Sequence, residues 1–283
     1  MSLGIQLLRA LRWKLELSPL AQLPFSLTWL VVAVAYMMIN ILPFRLGEPV
    51  RPVLMSWKSH LSVSAIVGNW VFEKMMDAAV LVLFIHLTLL STDLPRWAWE
   101  ASAFSLGMFS VLLVLVVGFW LRGRAFFDAS LGRVLPESGR RRMLGVLNNA
   151  REGLLILPDR RLVSLVFAVT TLLWFLPILS SYVIILGFGF PLPFSAALVV
   201  FVAIGLGTAL PNPPGMIGVF QYACVVALGV YGIPEAQAVA YGIVLNAVQL
   251  LTLIAQGVFA LPFLGIDLGG LTRAAIRQPV DKR

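Results

Sequence analysis

Metal-ligating and redox-active side chains are nearly missing from this chain: its 283 residues include two histidines and one cysteine. His60 and His86 stand far from each other and from any acidic cluster at ligand spacing, so no metal site is expected, and no cofactor motif accompanies them. With Cys224 alone inside an apolar run, no disulfide within the chain is possible. Charge is scarce as well, at 12% Asp, Glu, Lys and Arg, about half of the roughly 25% typical of soluble domains. No P-loop, nucleophile elbow or zinc motif appears. Residues 1–20 lack a small-residue cleavage site behind a compact apolar core, so no removable signal peptide is expected.

What is present is apolar length. Hydrophobic residues make up 60% of the chain and mean hydropathy is +0.94. A spanning helix needs about 20 mostly apolar residues, and several runs qualify, which predicts an all-α polytopic membrane protein in one transmembrane unit, 1–283. The net charge of +8 sits in loops and termini beside apolar runs. That placement is what the positive-inside rule produces, so nucleic acid is not expected as a partner.

The basic segment 122–161 holds Arg122, Arg124, Arg133, Arg140 to Arg142, Arg151, Arg160 and Arg161, and is expected on the cytoplasmic side. Residues 97–121 then run inward and 61–90 outward. Residues 1–20, with Arg9, Arg12 and Lys14, read as an interfacial or helix-end segment. If 24–42 spanned fully, this basic N-terminus would lie outside. A first re-entrant hairpin over 24–58, broken at "LPFRLGE", removes the conflict. By the same logic 193–230, broken at "ALPNPPGMIG", forms a second hairpin entering from the opposite face. The expectation is about five full spans plus these two hairpins, with both termini cytoplasmic. Paired Pro/Gly-interrupted segments in corresponding positions are the sequence sign of an inverted repeat with a site near the midplane.

Three stretches carry possible chemistry. Arg45, Glu48 and Arg51 are spaced by three and share a helical face, and a helix starting near Gly47 turns free N–H groups toward the break. Two guanidiniums against one carboxylate make a candidate lipid-phosphate site. The plainer alternative is arginines reaching to the headgroup level as anchors. In "NWVFEKMMD", Asn69, Glu73 and Asp77 form one stripe with Lys74 beside it. Carboxylates inside a spanning helix need a partner or a wet cavity, so pairing with Arg45 or Arg51, or proton coupling, is expected. In "PNPPGMIGVFQ", Pro211, Pro214, Gly215 and Gly218 break and turn the chain, while Asn212 and Gln221 supply neutral hydrogen-bonding groups. Asn246, Gln249 and Gln256 share roughly one face of the last helix, suited to interhelical hydrogen bonds.

"LPFRLGEPVR", "VFEKMMD" and "LPNPPGMIGVFQ" resemble, in order, the three signature stretches of the flippase-like membrane domain of lysylphosphatidylglycerol synthases. The resemblance covers nearly the whole chain. It implies a stand-alone helical protein of the bacterial or archaeal cytoplasmic membrane that translocates or presents lipids. The implied partners are anionic phospholipids, polyprenyl-linked lipids or glycolipids, and a separate lipid-modifying enzyme. It assigns Arg45, Gly47, Glu48 and Arg51 to the first signature, Glu73 and Asp77 to the second, and Pro211, Pro214, Gly215 and Gly218 to the third. The chain departs from the pattern at Lys74 and Asn246, where arginine is expected, and at Gln221, where glutamate is common. "LLRALRWK" resembles the end of an early family helix, so one or two N-terminal spans are expected to be missing. The aminoacyl-transfer domain is expected to be absent as well. The chain therefore reads as a transporter and not an enzyme. The alternatives are a membrane-embedded transferase on a lipid-linked substrate and a non-catalytic partner of a lipid enzyme.

Overall fold

The structure is a computed structural model, and it describes residues 1–42, 47–91, 96–130, 137–208 and 213–265, with side chains left aside at 91, 97, 98, 101 and 123–143. Among the described residues every regular element is helical. In chain order these are α1 (Ser2–Leu17), α2 (Phe25–Ile41), α3 (Val50–Ser59), α4 (Val63–Ser91), α5 (Arg96–Ser130), α6 (Glu137–Glu152), α7 (Arg160–Gly187), α8 (Phe194–Thr208), α9 (Val219–Gly229) and α10 (Glu235–Leu264), with a 3-10 turn at Pro214–Met216 before α9.

Local chemistry sets the ends. Leu42 closes α2 in an extended conformation (φ −81°, ψ 138°). This is where steric clash with a following proline, here Pro43, puts the preceding residue. Asp159 caps α7 by accepting from the Leu162 backbone N–H at 3.0 Å. Gly218 stands at φ +90° ahead of α9, and the Gln221 side chain folds back to accept its N–H at 2.6 Å. Gln221, expected as a site group, thus works as a helix cap. Gly265 ends α10 at φ +62°.

Length and composition sort the helices. Ser102–Arg122 within α5, Arg160–Gly187 and Glu235–Leu264 are long and apolar enough to cross a bilayer. The chain is an integral membrane protein. α4 has 29 residues but carries Glu73, Lys74 and Asp77 at its middle. α2, α3, α8 and α9 have 17, 10, 15 and 11 residues, each under the roughly 20 a span needs. α2 packs on α3, and α8 on α9.

α10 fastens both short pairs. Gly257 lets it reach α2 so closely that a Cβ would overlap Met37, and a Cβ on Gly242 would stand 3.0 Å from the Gln221 Cα and 3.3 Å from the Cys224 Sγ of α9. Asn246 Nδ2 donates to the Gly215 carbonyl at 3.0 Å, and the 3-10 turn also touches α2. α5 lies outermost, with Phe104, Met108, Val111, Val114 and Leu115 all exposed, the surface that lipid tails cover.

α1, expected as an interfacial or helix-end segment, packs against α2, α4, α7 and α10. Within the basic segment α6 lies on α4, and Leu154 and Ile156 are buried beside Phe72 and Met75.

Candidate functional site

α1 has inverted polarity. Leu3, Leu7 and Leu11, four apart, are exposed, while Gln6, Arg12 and Glu16 are buried. In water this helix would turn the other way. In a bilayer the leucines meet lipid and the charges turn inward.

Arg12, 2% exposed, is the centre of the arrangement. Its Nη2 donates to Glu73 Oε1 at 2.5 Å and its Nη1 to Asp77 Oδ1 at 2.5 Å. Glu73 and Asp77 are one turn apart on α4, so one planar fork bridges two turns. Nε of the same guanidinium lies 3.6 Å from Glu16 Oε1. From α3, Arg51 Nη1 pairs with Glu73 Oε2 at 2.5 Å, with its guanidinium 4.0 Å above the Trp13 ring. From α7, Trp174 Nε1 donates to Asp77 Oδ1 at 2.9 Å. Asn69 Nδ2 donates to the Glu16 carbonyl at 3.1 Å. Four helices are therefore joined through one charged cluster. A buried charge without a partner is strongly unfavourable, so the cluster holds each element by the cost of separating it.

A cavity of about 420 Å³ opens beside this cluster, a size ordinary for small-ligand pockets. Its charged lining is Arg9, Arg12, Arg51 and Lys74 with the carboxylates Glu48 and Asp77. Its apolar lining includes Leu173 of α7, Phe201 and Ile204 of α8, Phe220 of α9 and Leu253 of α10. Both short helix pairs reach it, the first through Glu48 and Arg51, the second through Met216 and Phe220.

The Asn69, Glu73, Asp77 stripe meets Arg51, one of its two expected partners, and also Arg12, which sequence reasoning passed over. Lys74 stands aside, its ammonium 5.6 Å from the Trp70 ring. Gly47 packs on the α2 backbone, where a Cβ would overlap Met38 and Ile39. Gln249 lines the cavity and Asn246 ties α10 to Gly215. Gln256 bonds only within its own helix, to the Thr252 carbonyl at 3.2 Å. Pro214, Gly215 and Gly218 form the turn at the tip of the second pair. Arg45, Pro211 and Asn212 lie outside the described residues. The residues missed were Gln6, Arg9, Arg12, Glu16 and Trp174. The signal was present: leucines every four residues opposite charges at three and four.

The family model for the lysylphosphatidylglycerol synthase TM region matches residues 1–257. A UPF0104 membrane protein of Methanothermobacter thermautotrophicus is 21% identical, over 77% of this chain and 69% of its own length. Another UPF0104 membrane protein, from Methanocaldococcus jannaschii, is 24% identical over 77% of this chain and 90% of its own. No solved structure matches the chain. The chain belongs to the lysylphosphatidylglycerol synthase TM-region family.

Proposed function

Taking membership of this family as the premise, we propose that the protein receives a phosphate-containing lipid in its central cavity and translocates or presents it across the cytoplasmic membrane. The observation that carries this is the mixed lining of the cavity: its charged side chains come from α1, α4 and the segment that opens α3, while α7 to α10 supply Leu173, Phe201, Ile204, Phe220 and Leu253 together with uncharged polar groups such as Gln249 and Thr252. That polarity matches an amphiphile and suits neither a wholly polar solute nor a pure hydrocarbon.

In this reading the two short helix pairs, both of which reach the cavity, are re-entrant hairpins from opposite faces, with both termini cytoplasmic. Backbone breaks at membrane depth are tolerated where they line a cavity. The positive N-terminal end of α3, with Arg51 in its first turn and Glu48 just ahead of it, lines the cavity. Asp77 is already held by Arg12 and Trp174, which supports a binding role for the cluster over a catalytic one.

The test is reconstitution into vesicles with a labelled phosphatidylglycerol, read by the label's accessibility to an impermeant quencher. Faster exchange between leaflets than in empty vesicles supports translocation. Tight lipid retention without exchange supports presentation. Neither exchange nor retention contradicts the proposal, as does a chemically altered headgroup.

A further inference from the structure

We infer that α7 bends in the turn that ends at Pro177, so that α8, α9, the second half of α7 and the first half of α10 move as one body against the rest, and that the Trp174–Asp77 hydrogen bond holds this turn in the arrangement seen. This rests on the lipid-binding reading above and adds the motion that changes access to the cavity.

The apolar packing is divided, and three long helices pass from one core to another. α7 joins the core of Phe72 and Leu154 through Val166, then the core of Val200 and Phe220 through Ile178 and Ile185. α10 joins that second core through Tyr241 and Leu245, then the core of Val31 and Met37 through Ala260 and Leu261. α4 packs first through Phe72 and Met75, then through Val80 and Phe84. On each helix the stretch between the two sets lines the cavity: Leu173 and Pro177 on α7, Val248 and Thr252 on α10, Asp77 and Ala78 on α4. The cavity is therefore the seam between separately packed bodies, and motion concentrates where apolar contacts are few.

α7 is built to yield at this seam. Pro177 lies inside the helix. Having no N–H, it leaves the Leu173 carbonyl without its helical donor, and its ring crowds the same carbonyl. Leu173, Pro177 and Ile184 all line the cavity, so the freed carbonyl lies on the cavity side. The first turn of α1 is level with the proline, since a Cβ on Gly4 would stand 3.7 Å from Leu176 Cδ1. At its own crossing α10 carries Thr252, whose hydroxyl donates to the Val248 carbonyl at 2.7 Å. Such back-bonding bends helices.

Trp174 sits within the yielding turn. Its ring meets Phe201 of α8 edge-on, with centroids 5.7 Å apart, while its Nε1 donates to Asp77 Oδ1 at 2.9 Å. Asp77 is in turn fixed by Arg12. One side chain is thus held by the mobile body through its ring and by the charged cluster through its N–H. Releasing this single hydrogen bond frees the turn, whereas pulling the cluster apart strands buried charge.

The experiment is electron–electron double resonance between spin labels on the full-length Cys224→Ser protein in vesicles of phosphatidylglycerol and phosphatidylcholine. Leu165→Cys with Ile243→Cys spans the two bodies, and Leu186→Cys with Ile243→Cys lies within one; all three positions are exposed. The spanning pair is expected to show two distances and the other pair one. P177A is expected to reduce the spanning pair to one distance with an equal or higher unfolding midpoint, because it restores the helix. P177G, which stays flexible, should keep both. W174F keeps the ring on Phe201 and should shift the ratio of the two distances about tenfold, the worth of one charge-assisted hydrogen bond. A single distance for the spanning pair, two distances within one body, or a P177A distribution like that of wild type overturns the hinge. A ratio unchanged in W174F overturns the latch. Retention of labelled phosphatidylglycerol is measured on the same wild-type sample. Two distances without retained lipid contradict the lipid reading and leave the hinge standing, and retained lipid with a single distance does the reverse.

Discussion

At the residue scale, Arg12 holds more of the structure than any residue of the three signature stretches. Its guanidinium serves Glu73 and Asp77 at 2.5 Å each and Glu16 at 3.6 Å. Removing it strands buried carboxylates, which costs about 3–5 kcal/mol when one partner of a buried pair is lost. Arg12→Gln is therefore expected to lower the thermal unfolding midpoint of the detergent-solubilised protein sharply. R12Q/E73Q should recover part of the loss, because the second change removes a stranded charge. A midpoint unchanged in Arg12→Gln contradicts the cluster's role. Arg51→Ala should also destabilise, since it unpairs Glu73 Oε2 and uncovers Trp13. Lipid loss in that variant therefore has to be judged against its unfolding midpoint. The stripe of Asn69, Glu73 and Asp77 was legible because carboxylates in an apolar helix demand a partner. The partner on α1 was not, because a basic stretch beside apolar runs is also what topology signals look like.

At the scale of elements, the ends of α2 and α8 were readable from the prolines and glycines that follow them, and α2, α3, α8 and α9 are all short. The re-entrant reading predicts sidedness. In a Cys224→Ser background, Gln22→Cys and His60→Cys, both at exposed positions, should react with an impermeant maleimide from the same face. Pro191→Cys and Glu235→Cys, also exposed, should react from the opposite face. Labelling of positions 22 and 60 from different faces contradicts the first hairpin. The packing of these elements was less legible, because glycine contacts depend on which helices meet. Gly257→Leu should push α10 off Met37 of α2 and cost about 1–3 kcal/mol as overpacking. The unfolding midpoint checks this, and Met37→Ala in the same chain should restore part of it.

At the scale of the whole molecule, composition alone announced a membrane protein. The cavity was not legible. Its wall draws Arg9 from α1, Lys74 from α4, Leu173 from α7 and Leu253 from α10, and no spacing rule brings such distant positions together. The inverted polarity of α1 shows how the solvent decides the reading, since the same periodicity means a surface helix in water and an internal one in lipid. The central claim is that one lipid occupies this cavity. Gly205 lines it, and a Cβ there would stand 3.3 Å from Leu81 Cδ1, so Gly205→Trp fills the space. The most direct measurement is quantitative mass spectrometry of lipid retained after exhaustive detergent washing, wild type beside Gly205→Trp. The account predicts near-stoichiometric retention of a phosphate-containing lipid by wild type and its loss from a variant that stays folded. Equal retention by both would contradict it.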